Sequence, residues 1–216
     1  MALTGIFLIL FLVVHAGINA CIWANDGGEM FNKAAHFMGS TVVIRIAEVG
    51  LFLFLFIHII QGLALVFANK GKRSISYNVS YGNKGSKWYS RSMGLLGTLI
   101  LLFLIIHWIH FWIPSRFGGD FGIRELGSVT YNGLEYNNQY ADMVSVFQSG
   151  WVVIIYVLGC ISLAYHLAHG FQSAFRTLGV NNPRYIKMLY TIGYAFSIIV
   201  SLAFAMMPVS MYLGWV

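Results

Sequence analysis

The chain has 216 residues, of which 58% are hydrophobic and only 9% charged, a balance that excludes an ordinary soluble domain of this length and suits a polytopic membrane protein facing lipid. Its formal net charge of +6 does not mark a nucleic-acid binder, because the basic residues sit in short segments between apolar runs. Cys21 and Cys160 are too few for a disulfide framework, and both fall in apolar segments, where they read as buried thiols.

Crossing the hydrocarbon takes about 20 apolar residues, and five stretches meet that requirement: about 3–23, 41–67, 92–113, 146–175 and 187–213. The first, MALTGIFLILFLVVHAGINAC, looks like a signal peptide, but no Lys or Arg precedes its apolar run, so it is expected to remain as a span. It carries His15. A loop with Glu29, Lys33 and His36 follows, and the second stretch then opens with Arg45 and Glu48, three apart, as an interfacial ion pair would be. Deeper in that stretch lies His58. The next loop, NKGKRSISYNVSYGNKGSKWYSR, holds Lys70, Lys72, Arg73, Lys84, Lys87 and Arg91 with no acid. The third stretch ends in LLFLIIHWIHFWIP, with His107 and His110. Arg116 and Arg124 come next, among the acids Asp120, Glu125, Glu135 and Asp142. The fourth stretch carries His166 and His169, Arg176, Arg184 and Lys187 lie near or beyond its end, and the fifth has no histidine.

Helices are the only open-chain way to satisfy the backbone in lipid, so the expected fold is an all-α integral membrane protein, a single five-helix bundle over 1–216. The positive-inside rule places the two basic loops in the cytoplasm, with the N-terminus inside and the C-terminus outside. Trp23, Trp88, Trp112, Trp151 and Trp215 fall near predicted helix ends, as an interfacial aromatic belt requires.

An imidazole in hydrocarbon must find a partner and usually marks function. His15, His58, His107 and His166 each lie in a different span, always nearer its C-terminal end. Because successive helices alternate in direction, His15 and His107 share the outer half of the membrane, and His58 and His166 the inner half. At about 1.5 Å per residue the two layers differ by about 5–10 Å in depth. Two imidazoles facing each other across a bundle can ligate one haem iron axially, leaving no open position for oxygen. The bland reading of a lone intramembrane histidine is an interhelical hydrogen bond; four histidines, one per helix and matched in depth, favour ligation. His110 and His169 stand three residues beyond His107 and His166 on the same helical faces and read as supporting residues. Gly17, Gly62 and Gly170 lie beside the proposed ligands, with Gly94 and Gly97 a few turns away, where small residues allow close approach of helices or of a flat macrocycle.

With these residues in view, the chain resembles the di-haem cytochrome b membrane-anchor subunit of succinate dehydrogenase and fumarate reductase, the single-subunit, five-helix cytochrome b558 type. GIFLILFLVVHAGIN, FIHIIQGLALVF, LIIHWIHFW and YHLAHGFQSAFRTLG resemble the four ligand segments in order, and FNKAAHFMGS the outer loop. The resemblance covers essentially the whole chain and favours His166 over His169 as ligand. It implies two b haems, an inner one held by His58 and His166 and an outer one held by His15 and His107. It also implies exchange of electrons with quinone, menaquinone being the expected species, and a place in the bacterial cytoplasmic membrane with flavoprotein and iron–sulfur subunits on the cytoplasmic face. Related chains usually carry a basic segment before the first helix, whereas this sequence begins within it. Some menaquinol-oxidising fumarate reductases have Glu two residues before the fourth ligand, a feature tied to transmembrane proton movement; Ala164 stands there instead.

Quinone chemistry needs protons, and Glu29 and His36 are the expected quinone and proton residues at the outer end. Two other readings compete. A hydrogenase or formate dehydrogenase cytochrome b also ligates haem in helical spans, and a histidine-lined metal or proton transporter would use the same residue type. The transporter would be expected to carry carboxylates within its spans, where Glu48 stands alone, and inverted repeats, of which the sequence has none.

Overall fold

The computed structural model describes residues 1–71 and 87–216, with side chains for 1–69 and 87–216. The side chains of Lys70, Lys72, Arg73 and Lys84, assigned to the cytoplasmic loop, therefore lie outside the described residues.

Among the described residues five helices are long and apolar enough to cross a membrane: Ala2–Ala24, Val42–Asn69, Met93–Phe117, Gly150–Thr177 and Pro183–Tyr212. The first is α1 (Ala2–Ala20), extended by a 3₁₀ turn at Cys21–Ala24. Asn25, Gly27 and Gly28 then adopt left-handed backbone and reverse the chain. At Gly28, φ is 87° and an added Cβ would lie 2.2 Å from the Tyr140 ring, so only glycine fits. Asp26 accepts from the backbone N–H groups of Gly28 (3.0 Å) and Met30 (2.8 Å), tying down the start of α2 (Glu29–Ser40). Helix α3 (Val42–Gly71) is the second span. After the short α4 (Trp88–Arg91), the third span runs through α5 (Met93–His107), a π turn at Trp108–Trp112 and α6 (Ile113–Phe117).

The loop that follows holds an element the all-α expectation lacked, a hairpin of β1 (Ser128–Tyr131) and β2 (Leu134–Asn137), pairing Ser128 with Asn137 and Tyr131 with Leu134. Its turn residues, Asn132 and Gly133, have φ of 53° and 78°, the positive pair that an Asn-Gly hairpin turn demands. Asn138 then caps α7 (Gln139–Phe147) by accepting from the Ala141 N–H. The fourth span is α8 (Gly150–Thr177), and the fifth, α9 (Pro183–Tyr212), begins at a proline after the Asn182 cap.

Helix α8 is the central one, packed on α9, α5 and α1, while α3 leans on α1 and α5. The first four spans thus form a square in which neighbours in space are 1–2, 2–3, 3–4 and 4–1, and the fifth covers the 4–1 edge. The diagonals, α1 with α5 and α3 with α8, have no such packing among the described residues. The main apolar cluster gathers at the end expected to face outward, where Ile22, Phe31, Met143, Phe147, Tyr156 and Met207 join the spans to a cap built from α2, the hairpin and α7. Asn32, 1% exposed, is the pin of that cap: its amide donates to Tyr131 Oη and Asn138 Oδ1 and accepts from the Tyr140 N–H.

Candidate cofactor site

Each of the first four spans presents one interior histidine, and the diagonals bring them together in pairs. His15 on α1 meets His107 at the end of α5, ring centroids 5.8 Å apart with planes at 90°. His58 on α3 meets His166 on α8 at 6.2 Å and 66°. These are the pairings that the depth argument expected.

Aromatic rings enclose the outer pair: Phe11 stacks on His15, Phe103 stacks on His107, and Phe111 and Phe204 close the sides. Phe103 reaches that position because Gly159 on α8 leaves room; a Cβ there would lie 2.6 Å from its ring. The inner pair is less enclosed. Gly97 and Gly5 lie beside it, their added Cβ atoms 3.7 Å from His166 Cε1 and 3.8 Å from His58 Cε1. Gly94, a few turns away, receives the Val66 side chain, whereas of the glycines beside the ligands Gly17 and Gly170 face open space and Gly62 lies against Met1.

The donor set fits a macrocyclic iron better than a bare ion. Among the described residues no group of three or more His, Cys, Asp or Glu converges to hold a metal, whereas a six-coordinate haem takes only two protein ligands. A metal set midway between two imidazoles, about 2.0–2.1 Å from each nitrogen as in zinc sites, places the ring centres roughly 6 Å apart. Both pairs have that spacing. His107 Nδ1 and His166 Nδ1 are buried without a hydrogen-bond partner, a costly state for ring nitrogens that a ligand at these sites would relieve. On the other side of each pair a polar neighbour orients the ring. The Thr4 hydroxyl donates to the Met1 carbonyl (2.9 Å) and so accepts from His58 Nδ1 (3.2 Å), leaving Nε2 with its lone pair. Asn19, one turn beyond His15, donates to its carbonyl (2.8 Å) and stands 3.4 Å from its Nδ1. Neither Thr4 nor Asn19 was singled out from sequence, although each is a polar residue in an apolar run.

The supporting histidines differ. His110 is held by Tyr156, whose hydroxyl lies 3.0 Å from Nδ1 with the rings stacked, and it borders a cleft of about 470 Å³ shared with Arg124 and Val152. His169 is partly buried at the inner end. At the outer surface Glu29 is ion-paired with Lys33, and His36 packs edge-on against Tyr136 of β2, 5.1 Å away. The Lys33 ammonium is held above its ordinary pKa, first by the Glu29 hydrogen bond. The Arg45–Glu48 pair is present at 3.0 Å but belongs to a larger cluster, since Glu48 also accepts from Trp112 Nε1 (2.7 Å) and from Arg116 through Nε (3.0 Å) and Nη2 (3.2 Å).

The result is a five-helix bundle that carries four half-buried histidines as two diagonal pairs. In sequence, the chain is similar to the succinate dehydrogenase cytochrome b558 subunit of Bacillus subtilis (strain 168), 28% identical over 182 residues that span 83% of this chain and 76% of that protein. This similarity supports the cytochrome b558 family of succinate dehydrogenase membrane anchors, and with the five apolar helices it is consistent with a multi-pass protein of the bacterial cytoplasmic membrane. No family profile and no solved structure matches the chain.

Proposed function

We propose that this chain is the haem-bearing, quinone-reactive membrane anchor of a succinate:quinone oxidoreductase, passing electrons between a cytoplasmic iron–sulfur subunit and menaquinone. The two diagonal histidine pairs carry the reading, and the similarity to a cytochrome b558 subunit supports it. His58 and His166 would hold the inner haem, and His15 and His107 the outer. When bound, haem b supplies a one-electron carrier whose potential the protein tunes through ligands, burial and nearby charge. The chain's own part is to fix the imidazoles, with Thr4 orienting His58 and the phenylalanine shell keeping water from His15 and His107. A histidine from each helix of a pair would occupy both protein-ligand positions of such a haem and leave none open to oxygen. Succinate chemistry belongs to the flavoprotein partner, which docks with the iron–sulfur subunit at the end bearing Lys87, Arg91, Arg176, Arg184 and Lys187. Glu29 and His36 serve proton exchange with quinone at the outer end, where His is suited to transfer near neutral pH.

A pyridine haemochrome assay on purified protein should give two b haems per chain, both low-spin. His15→Ala and His107→Ala should remove one spectral component, and His58→Ala and His166→Ala the other. One haem or none sinks the reading. Glu29→Gln and His36→Asn, in assembled complex with both haems retained, should slow quinone-linked turnover while dye-linked succinate oxidation is unchanged. Unchanged quinone kinetics in both would move the site to the cleft beside His110 or to the cytoplasmic end.

A further inference from the structure

The third span is not a regular helix. Its π turn at Trp108–Trp112 begins directly after His107, and the Ile113 N–H bonds to the Trp108 carbonyl, five residues back. Such wide turns are rare, occur singly inside α-helices and need support from their surroundings. Here the turn lets one segment serve two partners. On one face His107 meets His15, His110 meets Tyr156 and Phe111 meets Phe147. On the other, Trp108 packs on Phe52 and Phe56, Trp112 packs on Phe52 at 4.8 Å, and Trp112 and Arg116 both donate to Glu48. Glu48, Phe52 and Phe56 stand four apart on α3 and form one stripe that grips Trp108, Trp112 and Arg116.

One residue in an α-helix turns the chain by about 100°. If the segment were regular and His107 kept its aim at His15, Trp112 and Arg116 would swing by about that angle from their places against α3. If they stayed, His107 would turn away from His15. The Glu48 carboxylate, 18% exposed, bonds Trp112 at the end of the wide turn and Arg116 just past it with three charge-assisted contacts, the strong kind in a low-dielectric setting.

We propose that Glu48 is a positioning residue for the outer histidine pair: it latches the wide turn of the third span against the second and so fixes the plane of the His107 imidazole. This rests on the haem reading above. The experiment uses assembled complex with both haems and reads the low-spin g values of each, which follow axial-ligand orientation, beside the midpoint potentials. Glu48→Ala should shift the largest g value of the outer haem, identified as the signal lost in His15→Ala, and leave the inner signal in place. Glu48→Gln keeps an acceptor for Trp112 and should return most of the shift. Arg45→Met, which removes a cation from Glu48 without touching the turn, should move no g value. A Glu48→Ala complex with both g values unchanged overturns the proposal, whether its potential moves through charge alone or its melting temperature merely drops. Equal shifts at both haems overturn it too. If Glu48→Ala assembles poorly, Trp112→Phe, which removes the indole donor to Glu48, decides by the same criterion. Wild-type protein without haem would overturn the functional reading itself, and this proposal with it.

Discussion

Removal of the Asn32 side chain should loosen the outer cap while leaving the spans intact. Asn32 makes three hydrogen bonds, to Tyr131 Oη (3.1 Å), Asn138 Oδ1 (3.1 Å) and the Tyr140 N–H (2.9 Å). A typical bond contributes about 0.5–1.5 kcal/mol net, and a buried donor left unpaired costs about 1–3 kcal/mol. In Asn32→Ala the losses are unequal. Asn138 Oδ1 keeps its bond from the Ala141 N–H, and the partly exposed Tyr131 hydroxyl can turn to water. The Tyr140 N–H, in the first turn of α7, loses its side-chain acceptor. The expected destabilisation of the cap is therefore about 2–3 kcal/mol, or roughly 30- to 150-fold in its opening equilibrium. Amide hydrogen exchange in detergent or nanodiscs reads this directly: protection should fall by that factor across 128–142, while the α8 amides beyond the cap are unchanged. A change below threefold in the hairpin and α7, or an equal loss throughout α8, would refute the view of Asn32 as a local pin.

Gly159→Ala should press Phe103 against His107 and cost about 1–3 kcal/mol by overpacking; melting curves and the outer-haem spectrum should change together, the inner component staying as it was. Burial raises the Asp142 carboxyl above its ordinary 3.8, with the Arg124 guanidinium opposing the shift. In the window between the ordinary and the raised value the folded state binds more protons, so this group's contribution to cap stability is greatest at acid pH and declines as pH rises through that window. Exchange protection of α7, compared between wild type and Asp142→Asn across that range, checks the sign. Lysine cross-linking should capture the iron–sulfur partner through the loop containing Lys84 and Lys87; capture through Lys33 alone would invert the orientation.

The five spans and the two histidine layers were legible in the sequence. Span length follows from bilayer thickness, and depth from the constant rise per residue along helices of alternating direction. These are one-dimensional quantities, so His15 could be matched with His107, and His58 with His166, before any packing was known. The hairpin was legible too, in the Asn132–Gly133 pair, although the expectation of an all-α chain passed over it. Lateral arrangement was not legible. That the pairs face each other along diagonals, that Tyr156 holds His110, and that Glu48 gathers Trp112 and Arg116 as well as Arg45 all depend on how the helices rotate about their axes. The i,i+3 spacing of Arg45 and Glu48 showed the local half of that cluster, while its other half lies more than sixty residues along the chain. The wide turn after His107 has no sequence signature, because its backbone geometry is held by contacts on both of its faces at once. Only the assembled bundle brings those two faces into contact.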